Sequence, residues 1–147
     1  MNTSKRVSAT ALKRFVCATY ETAGMPFLDA ELVADSLVQA DLWGHQSHGV
    51  LRTRWYLERL RSGAMRATTE AKSVIDGGAF AVMDGKDGVG HVVARNAMFS
   101  AIERASPSRS GKSDAFVMFI LYNERMASSR KFDGNTILRS SSSLQVY

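Results

Sequence analysis

Two histidines, a serine and two glycines lie close together in residues 44–49, in the order Gly-His-Gln-Ser-His-Gly. Histidine donates or accepts a proton near neutral pH, and a neighbouring hydroxyl orients it or relays a proton to it. Flanking glycines let the backbone approach a ligand closely. His48 and Ser47 are therefore candidate catalytic residues for a proton transfer. The simpler alternative is a polar, solvent-facing turn between two helices.

Arg52 and Tyr56 follow His48 at successive steps of four residues. On a helix that starts near Gly49, these positions share one face. The guanidinium of Arg52 offers a fork of donors that matches a carboxylate. A proton donor, a carboxylate-binding cation and a phenol on one face predict a binding site for a small organic acid.

Three other patterns have simpler explanations. The two histidines of residues 44–49 are spaced so that they could share a metal ion, but no nearby cysteine or carboxylate cluster completes a ligand set. No metal is therefore predicted. Residues 111–113, Gly-Lys-Ser, imitate the end of a P-loop without a preceding strand, and the match is a coincidence. His91 is predicted to be a surface or capping residue, and Cys17 to be inert packing.

Residues 84–90 form a glycine-rich segment between a predicted strand and a predicted helix. That arrangement resembles a phosphate-binding turn in kind. Its glycines, at positions 85, 88 and 90, do not have the G-x-G-x-x-G spacing of a dinucleotide-binding fingerprint. A tight strand-to-helix turn is the simpler interpretation, and the cofactor-binding residues stay unassigned.

Composition and charge argue against several classes of protein. The formal net charge is +5, but residues 1–105 carry 13 Lys/Arg against 11 Asp/Glu, so most of the excess lies in residues 106–147. This distribution does not predict the basic stripe of a nucleic-acid-binding face. The sequence contains no run of 18 apolar residues, which is about the length that a membrane-spanning helix needs. Residues 1–7 lack the apolar core of a secretory signal. The single cysteine suits a reducing, cytoplasmic compartment.

Hydrophobic spacing predicts three helices before residue 62, which pack as one unit. The first is capped by Ser8 and ends at Gly24, the second is capped by Asp29 and ends at Gly44, and the third covers residues 50–61. The apolar positions that predict them are Leu12, Phe15, Val16 and Tyr20, then Leu32, Val33 and Leu37, then Leu51, Trp55, Leu57 and Leu60.

The period then changes to that of strands. Residues 72–76 and 79–84, joined by two glycines, predict a hairpin, and residues 90–104 predict a fourth helix. The apolar side of that helix is predicted to hold Val92, Val93, Ala97, Met98, Ala101 and Ile102. The fold class is therefore α/β, mixed. Residues 115–122 suit a buried strand, and the serine-rich segment 106–147 is predicted to be divergent and partly disordered.

Three stretches resemble the malate/L-lactate dehydrogenase family, whose cofactor domain is not a Rossmann fold. They are residues 40–52 (ADLWGHQSHGVLR), residues 55–63 (WYLERLRSG), and residues 84–94 with the apolar pairs that follow at 97–98 and 101–102. The resemblance implies hydride transfer between NAD(H) or NADP(H) and a small 2-hydroxy, 2-oxo or cyclic imino acid. It also implies that His48 donates the proton, Ser47 belongs to its relay, Arg52 binds the substrate carboxylate and Tyr56 lines the same pocket.

The same resemblance implies an organisation for the chain. Residues 1–70 correspond to the helical unit with the Ser-His-Gly motif, and residues 71–105 to a truncated β-hairpin–helix part of the cofactor domain. Residues 119–124 lack the histidine of the family's later Asn-Ser-x-His motif. We therefore expect an amino-terminal fragment that is inactive alone, from a frameshift, a degraded gene or a truncated frame, unless the carboxyl terminus is a deliberate new one. A homodimer is expected, and a non-catalytic oligomerisation or interaction module is the alternative function.

Overall fold

A computed structural model describes residues 6–68, 70–78, 80–105 and 121–122. The described residues fall into two units. The first takes in the residues up to 70 together with residues 87–96, and the second takes in residues 71–86 and those from 97 onward. The predicted tail of residues 106–147 lies outside the described residues, apart from residues 121–122.

Two helices build the core of the first unit. Helix α1 covers Ala9–Thr22 and begins at the predicted cap, where the Ser8 hydroxyl accepts a hydrogen bond from the Ala11 N–H. Helix α2 covers Phe27–Leu42 and begins after Pro26. The largest fully buried side chains of this core are Val16, Tyr20, Val33 and Leu37.

Two predictions for these helices are wrong. Asp29 lies inside the first turn of α2 and does not cap it; its Oδ1 accepts a hydrogen bond from Arg95 Nη2 at 2.6 Å. Phe15 was predicted on the apolar side of α1 but is 68% exposed. The buried stripe of α1 is narrow, because Val16 and Tyr20 already fill the contact with α2.

The predicted third helix is two shorter elements, and a further 3₁₀ turn comes before it. Two 3₁₀ turns, Gln46–His48 and Val50–Arg52, precede helix α3, which covers Thr53–Arg61. Leu51 is 78% exposed and Trp55 is 45% exposed, so both were wrongly predicted as core positions. Partly buried Tyr56, Leu57 and Leu60 pack against the core instead.

The predicted hairpin of the second unit is confirmed. Strand β1 (Lys72–Asp76) pairs antiparallel with strand β2 (Ala81–Asp84), with Lys72 opposite Asp84 and an irregularity between Ser73 and Ile75. Strand β3 (Leu121–Tyr122) adds parallel to β2. Residues 115–120, the rest of the predicted buried strand, lie outside the described residues.

Helix α4 covers Gly90–Ala105, close to the predicted bounds. Val92, Val93, Ala97 and Ala101 are buried as predicted. Met98 and Ile102 are more than half exposed, so their assignment to the apolar side was wrong. The described chain therefore has an apolar stripe on α4 that is narrower than the sequence pattern suggested.

The strand-to-helix turn after β2 uses a buried carboxylate. Asp84 is 2% exposed; its Oδ1 accepts a hydrogen bond from the Lys86 N–H at 2.9 Å, and its Oδ2 lies 2.8 Å from Lys86 Nζ. Burial acts to raise the pKa of Asp84, but the contacts with Lys86 outweigh it and lower the pKa. The left-handed residues of this turn are Lys86 and Asp87, at φ 49° and 58°.

Candidate active site

The Ser-His pair lies on an exposed turn that follows α2. Gly44, at φ +81°, turns the chain out of the helix, and the His45 N–H still donates to the Ala40 carbonyl. The next residues form the first 3₁₀ turn. There Ser47 Oγ and His48 Nδ1 lie 3.0 Å apart, at hydrogen-bond distance.

This bond fixes which imidazole nitrogen is available for chemistry. With Nδ1 engaged by Ser47, Nε2 of His48 has no hydrogen-bond partner within the described chain. The ring is exposed, so Nε2 can reach a ligand from solvent. The predicted pairing of Ser47 with His48 is thus present in the geometry.

Asp41 anchors the turn from the last residues of α2. Its Oδ2 accepts a hydrogen bond from the Val50 N–H at 3.0 Å. Its carboxylate also occupies the space beside the buried Gly49, where a Cβ would overlap it. The close approach of Asp41 is therefore the reason for glycine at this position. The backbone conformation is not the reason, because a φ of −88° is available to any residue.

Sequence reasoning missed this role of Asp41. A signal was present, because a carboxylate in the last turn of a helix is unfavourable beside the negative end of the helix dipole. Such a residue needs a compensating donor nearby. The Val50 N–H, nine residues on, is that donor.

Arg52 is tied to the same turn from the other side. Its Nε donates to the main-chain carbonyl oxygen of Ser47 at 2.6 Å. Neither Nη atom has a hydrogen-bond partner within the described chain, so the end of the fork is available for a carboxylate. Arg52 reaches Ser47 from a 3₁₀ turn and not along one α-helical face as predicted.

Tyr56 lies one turn further on, in α3, and is half buried against the core. Its ring contacts in the described chain are with Trp55, at a centroid distance of 5.3 Å, and with His91, at 6.0 Å and edge to face. Burial lowers the pKa of His91, which favours the neutral imidazole beside the phenol. The geometry thus joins Ser47, His48 and Arg52 directly and places Tyr56 in a neighbouring aromatic contact.

The described residues include neither a metal-binding cluster nor a helix suited to cross a membrane. They contain no group of three or more His, Cys, Asp or Glu side chains arranged to hold a metal ion. None of their helices combines the length and the apolar character that a membrane crossing would need.

Comparison with known proteins links this geometry to one family. The model of the family described as malate/L-lactate dehydrogenase matches residues 7–112, which extends past the boundary predicted at Ala105. A malate dehydrogenase of Pyrococcus abyssi is 38% identical over 106 residues, covering 72% of this chain and 29% of the relative. A (2R)-3-sulfolactate dehydrogenase (NADP(+)) of Chromohalobacter salexigens is 32% identical over 104 residues, covering 71% of this chain and 30% of the relative.

Solved structures agree with the sequence comparison. The malate dehydrogenase from Pyrococcus horikoshii OT3 superposes with a TM-score of 0.66 at 37% identity, covering 69% of this chain and 29% of that one. The chain thus spans less than a third of the length of each of these relatives.

Proposed function

Because the chain belongs to the malate/L-lactate dehydrogenase family, we propose that it carries the proton-transfer and carboxylate-binding residues of an NAD(P)-dependent oxidoreductase. The reaction is hydride transfer between a nicotinamide cofactor and a small 2-hydroxy or 2-oxo acid, or a cyclic imino acid. The names of two relatives, a malate and a sulfolactate dehydrogenase, support a 2-hydroxy acid as substrate.

The observation that supports the proposal most directly is that Ser47 contacts His48 through its side chain and Arg52 through its main chain. Its side chain lies 3.0 Å from His48 Nδ1, and its carbonyl accepts a hydrogen bond from Arg52 Nε at 2.6 Å. A proton donor and a carboxylate-binding cation are thereby held on one short turn. This is the pair of groups that reduction of a 2-oxo acid requires from a protein.

Each residue has a defined task in the reducing direction. The Nη atoms of Arg52 bind the substrate carboxylate, which presents the adjacent carbonyl oxygen to the turn. The doubly protonated imidazole of His48 gives its Nε2 proton to that oxygen as the carbonyl carbon is reduced, which leaves a neutral ring whose Nδ1–H is held by Ser47 Oγ. Tyr56 lines the pocket. In the oxidising direction, His48 takes the hydroxyl proton back.

The chemistry of these groups fits a nicotinamide cofactor. NAD(H) or NADP(H) supplies a hydride and no proton for the oxygen, so the protein must supply the proton, as His48 does here. The cofactor is NAD or NADP, and the printed names of two relatives support one form each. The cofactor-binding residues, the homodimer and the cytoplasmic location stay predictions.

A binding experiment on the full 147-residue chain tests the proposal. Oxamate, a non-reactive analogue of a 2-oxo acid, is titrated while the imidazole NMR signals of the three histidines are followed. We expect a saturable change at His48. Arg52→Met should weaken binding about tenfold to a hundredfold, because a charge-assisted hydrogen bond is worth about 1.5–3 kcal/mol.

Arg54→Met is the matched control, since Arg54 is an exposed arginine of α3 paired with Glu58. Equal weakening by both substitutions would assign the effect to net charge and refute the role of Arg52. Saturable binding of NADH or NADPH is a second expected result.

A non-catalytic oligomerisation or interaction module is the second candidate. It is favoured by large apolar side chains that are more than half exposed in the first unit, namely Phe15, Phe27, Leu28, Leu42, Trp43 and Leu51. Size-exclusion chromatography separates the two functions. A stable oligomer that binds neither cofactor nor oxamate would favour the module.

A further inference from the structure

The guanidinium of Arg52 has a second contact besides the Ser47 carbonyl. Its Cζ lies over the ring of Trp55, 5.8 Å from the ring centroid. That distance is within the range of a cation–π interaction. The carboxylate-binding group is therefore held at two points, by a hydrogen bond to Nε and by an aromatic ring.

The Trp55 ring is itself held in place. The Cζ of Arg59 lies over the same ring at 4.9 Å, and the Tyr56 ring centroid is 5.3 Å away. Arg59 Nη2 in turn donates to the Ala64 carbonyl at 3.5 Å, after the end of α3. The ring thus packs against Tyr56 and two arginines, although it is 45% exposed.

The hydrogen bond to the Ser47 carbonyl and the contact with the Trp55 ring together orient the Nη atoms of Arg52. The Nε–H bond to Ser47 fixes one direction in the planar guanidinium, but the plane can still rotate about that direction. A ring against the guanidinium selects one orientation of the plane. This matters because a carboxylate binds the two Nη donors only when they lie in its own plane.

We propose that Trp55 is a positioning residue for substrate binding, which orients the guanidinium of Arg52 so that its Nη fork faces the substrate carboxylate. The proposal rests on the carboxylate-binding role of Arg52 proposed above. Trp55 acts through Arg52 and does not touch the reacting atoms. The competing explanation is that Trp55 and the two arginines only stabilise the surface of α3.

Trp43 provides a matched comparison. It is the other of the two tryptophans of the chain, caps the end of α2 and is 72% exposed. No guanidinium lies over its ring within the described residues. Trp43→Leu therefore removes an exposed indole without touching Arg52.

The first test needs no ligand. The Arg52 Nε–H signal is followed by ¹H–¹⁵N NMR in the full chain, and its exchange with water is measured. Trp55→Leu should shift the signal and speed its exchange, because the ring no longer restrains the guanidinium, whereas Trp43→Leu should do neither. An unchanged Arg52 signal in Trp55→Leu would overturn the proposal.

The second test measures the dissociation constant of oxamate. Trp55→Leu should weaken binding about two- to fivefold, the range of an exposed cation–π contact, and Trp55→Phe should restore part of it. Wild-type affinity in Trp55→Leu would refute the positioning role. If the wild-type chain binds no oxamate, the carboxylate-binding role of Arg52 is refuted, and the positioning role of Trp55 is refuted with it. This holds even if Trp55→Leu still changes the Arg52 Nε–H signal.

Discussion

The carboxylate of Asp41 fills the space beside the Cα of Gly49, where any side chain would have to lie. The same carboxylate accepts a hydrogen bond from the Val50 N–H, so one side chain both packs against Gly49 and pairs with a backbone donor of the turn. Ser47 and His48 lie immediately before this point. Their positions in the turn therefore depend on Asp41, which has no part in the proposed proton transfer.

Gly49→Ala should destabilise the chain by about 1–3 kcal/mol, the usual cost of overpacking a filled site. In an Asp41→Ala background, the added methyl group meets no carboxylate, and the cost should largely disappear. The free energy of unfolding, measured in denaturant by circular dichroism, gives the coupling between the two positions.

Gly90→Ala is the control, because a Cβ at Gly90 meets nothing within 4 Å. It should be neutral or slightly stabilising at the start of α4. Equal costs for Gly49→Ala with and without the Asp41 carboxylate would contradict the proposed close approach.

The elements that local patterns predict well are those with one strong period. The α1 cap at Ser8, the β1–β2 hairpin and the bounds of α4 follow from capping chemistry, paired glycines and apolar spacing. The 3₁₀ turn Val50–Arg52 does not, because its two side-chain contacts, from Val50 N–H to Asp41 and from Arg52 Nε to the Ser47 carbonyl, join it to residues outside the turn.

The candidate site shows the same division. Residue types made Ser47, His48 and Arg52 candidates, and the family resemblance implied their roles. They did not point to Asp41 or to the ring under Arg52, because both roles depend on distances in space. Trp55 even suggested a core position, although its ring packs against two arginines.

Ser47→Ala should change the tautomer of His48 and leave Arg52 in place. Loss of an exposed hydrogen bond worth about 0.5–1.5 kcal/mol should alter the ratio of Nδ1–H to Nε2–H forms about two- to tenfold. The ¹⁵N shifts of the imidazole report this ratio. Gln46→Ala should have no such effect. Unchanged ¹⁵N shifts of His48 in Ser47→Ala would argue against a hydrogen bond between Ser47 and His48.

Tyr20→Phe should leave the stability unchanged or raise it by up to about 1 kcal/mol. The Tyr20 hydroxyl is buried and lies near the Thr53 hydroxyl, but the two do not meet hydrogen-bond geometry, so removing the phenol oxygen also removes a poorly met desolvation cost. Tyr20→Ala, by contrast, should cost about 3–5 kcal/mol through the cavity that it leaves. Denaturant unfolding of both variants checks the two values.

The same phenol predicts a dependence on alkaline pH. Burial raises the pKa of Tyr20 from 10.0 to about 12. Because the folded state favours the neutral phenol, the stabilisation is present below pH 10 and is lost as the pH rises towards 12. Tyr20→Phe should lack this part of the loss, and an identical alkaline profile for both chains would count against the burial effect.

Asp76 predicts a dependence on acidic pH in the second unit. Arg104 binds both of its carboxylate oxygens, at 2.7 and 3.0 Å, and with the Gly78 N–H lowers the pKa of Asp76 from 3.8 to about 2. The contribution of this pair to stability is present above pH 3.8 and is lost as the pH falls through about 2. A ¹³C NMR titration of the carboxyl should show this midpoint.

Arg104→Gln should raise that midpoint towards the ordinary value, since the guanidinium is the larger cause. Glu103→Gln, on the neighbouring residue of α4, serves as the control and should leave it near 2. A midpoint that is the same in Arg104→Gln and in the wild-type chain would show that the pair does not persist in solution.

Arg52 is held by the carbonyl oxygen of residue 47, an atom that every amino acid possesses. An engineer can therefore vary the side chain at position 47, which contacts His48, without removing the carbonyl oxygen that holds Arg52, the proposed carboxylate-binding residue. Ser47 contacts His48 through its side chain and Arg52 through its main chain. Substitutions at position 47 can therefore be screened for their effect on His48 separately from substitutions that alter Arg52.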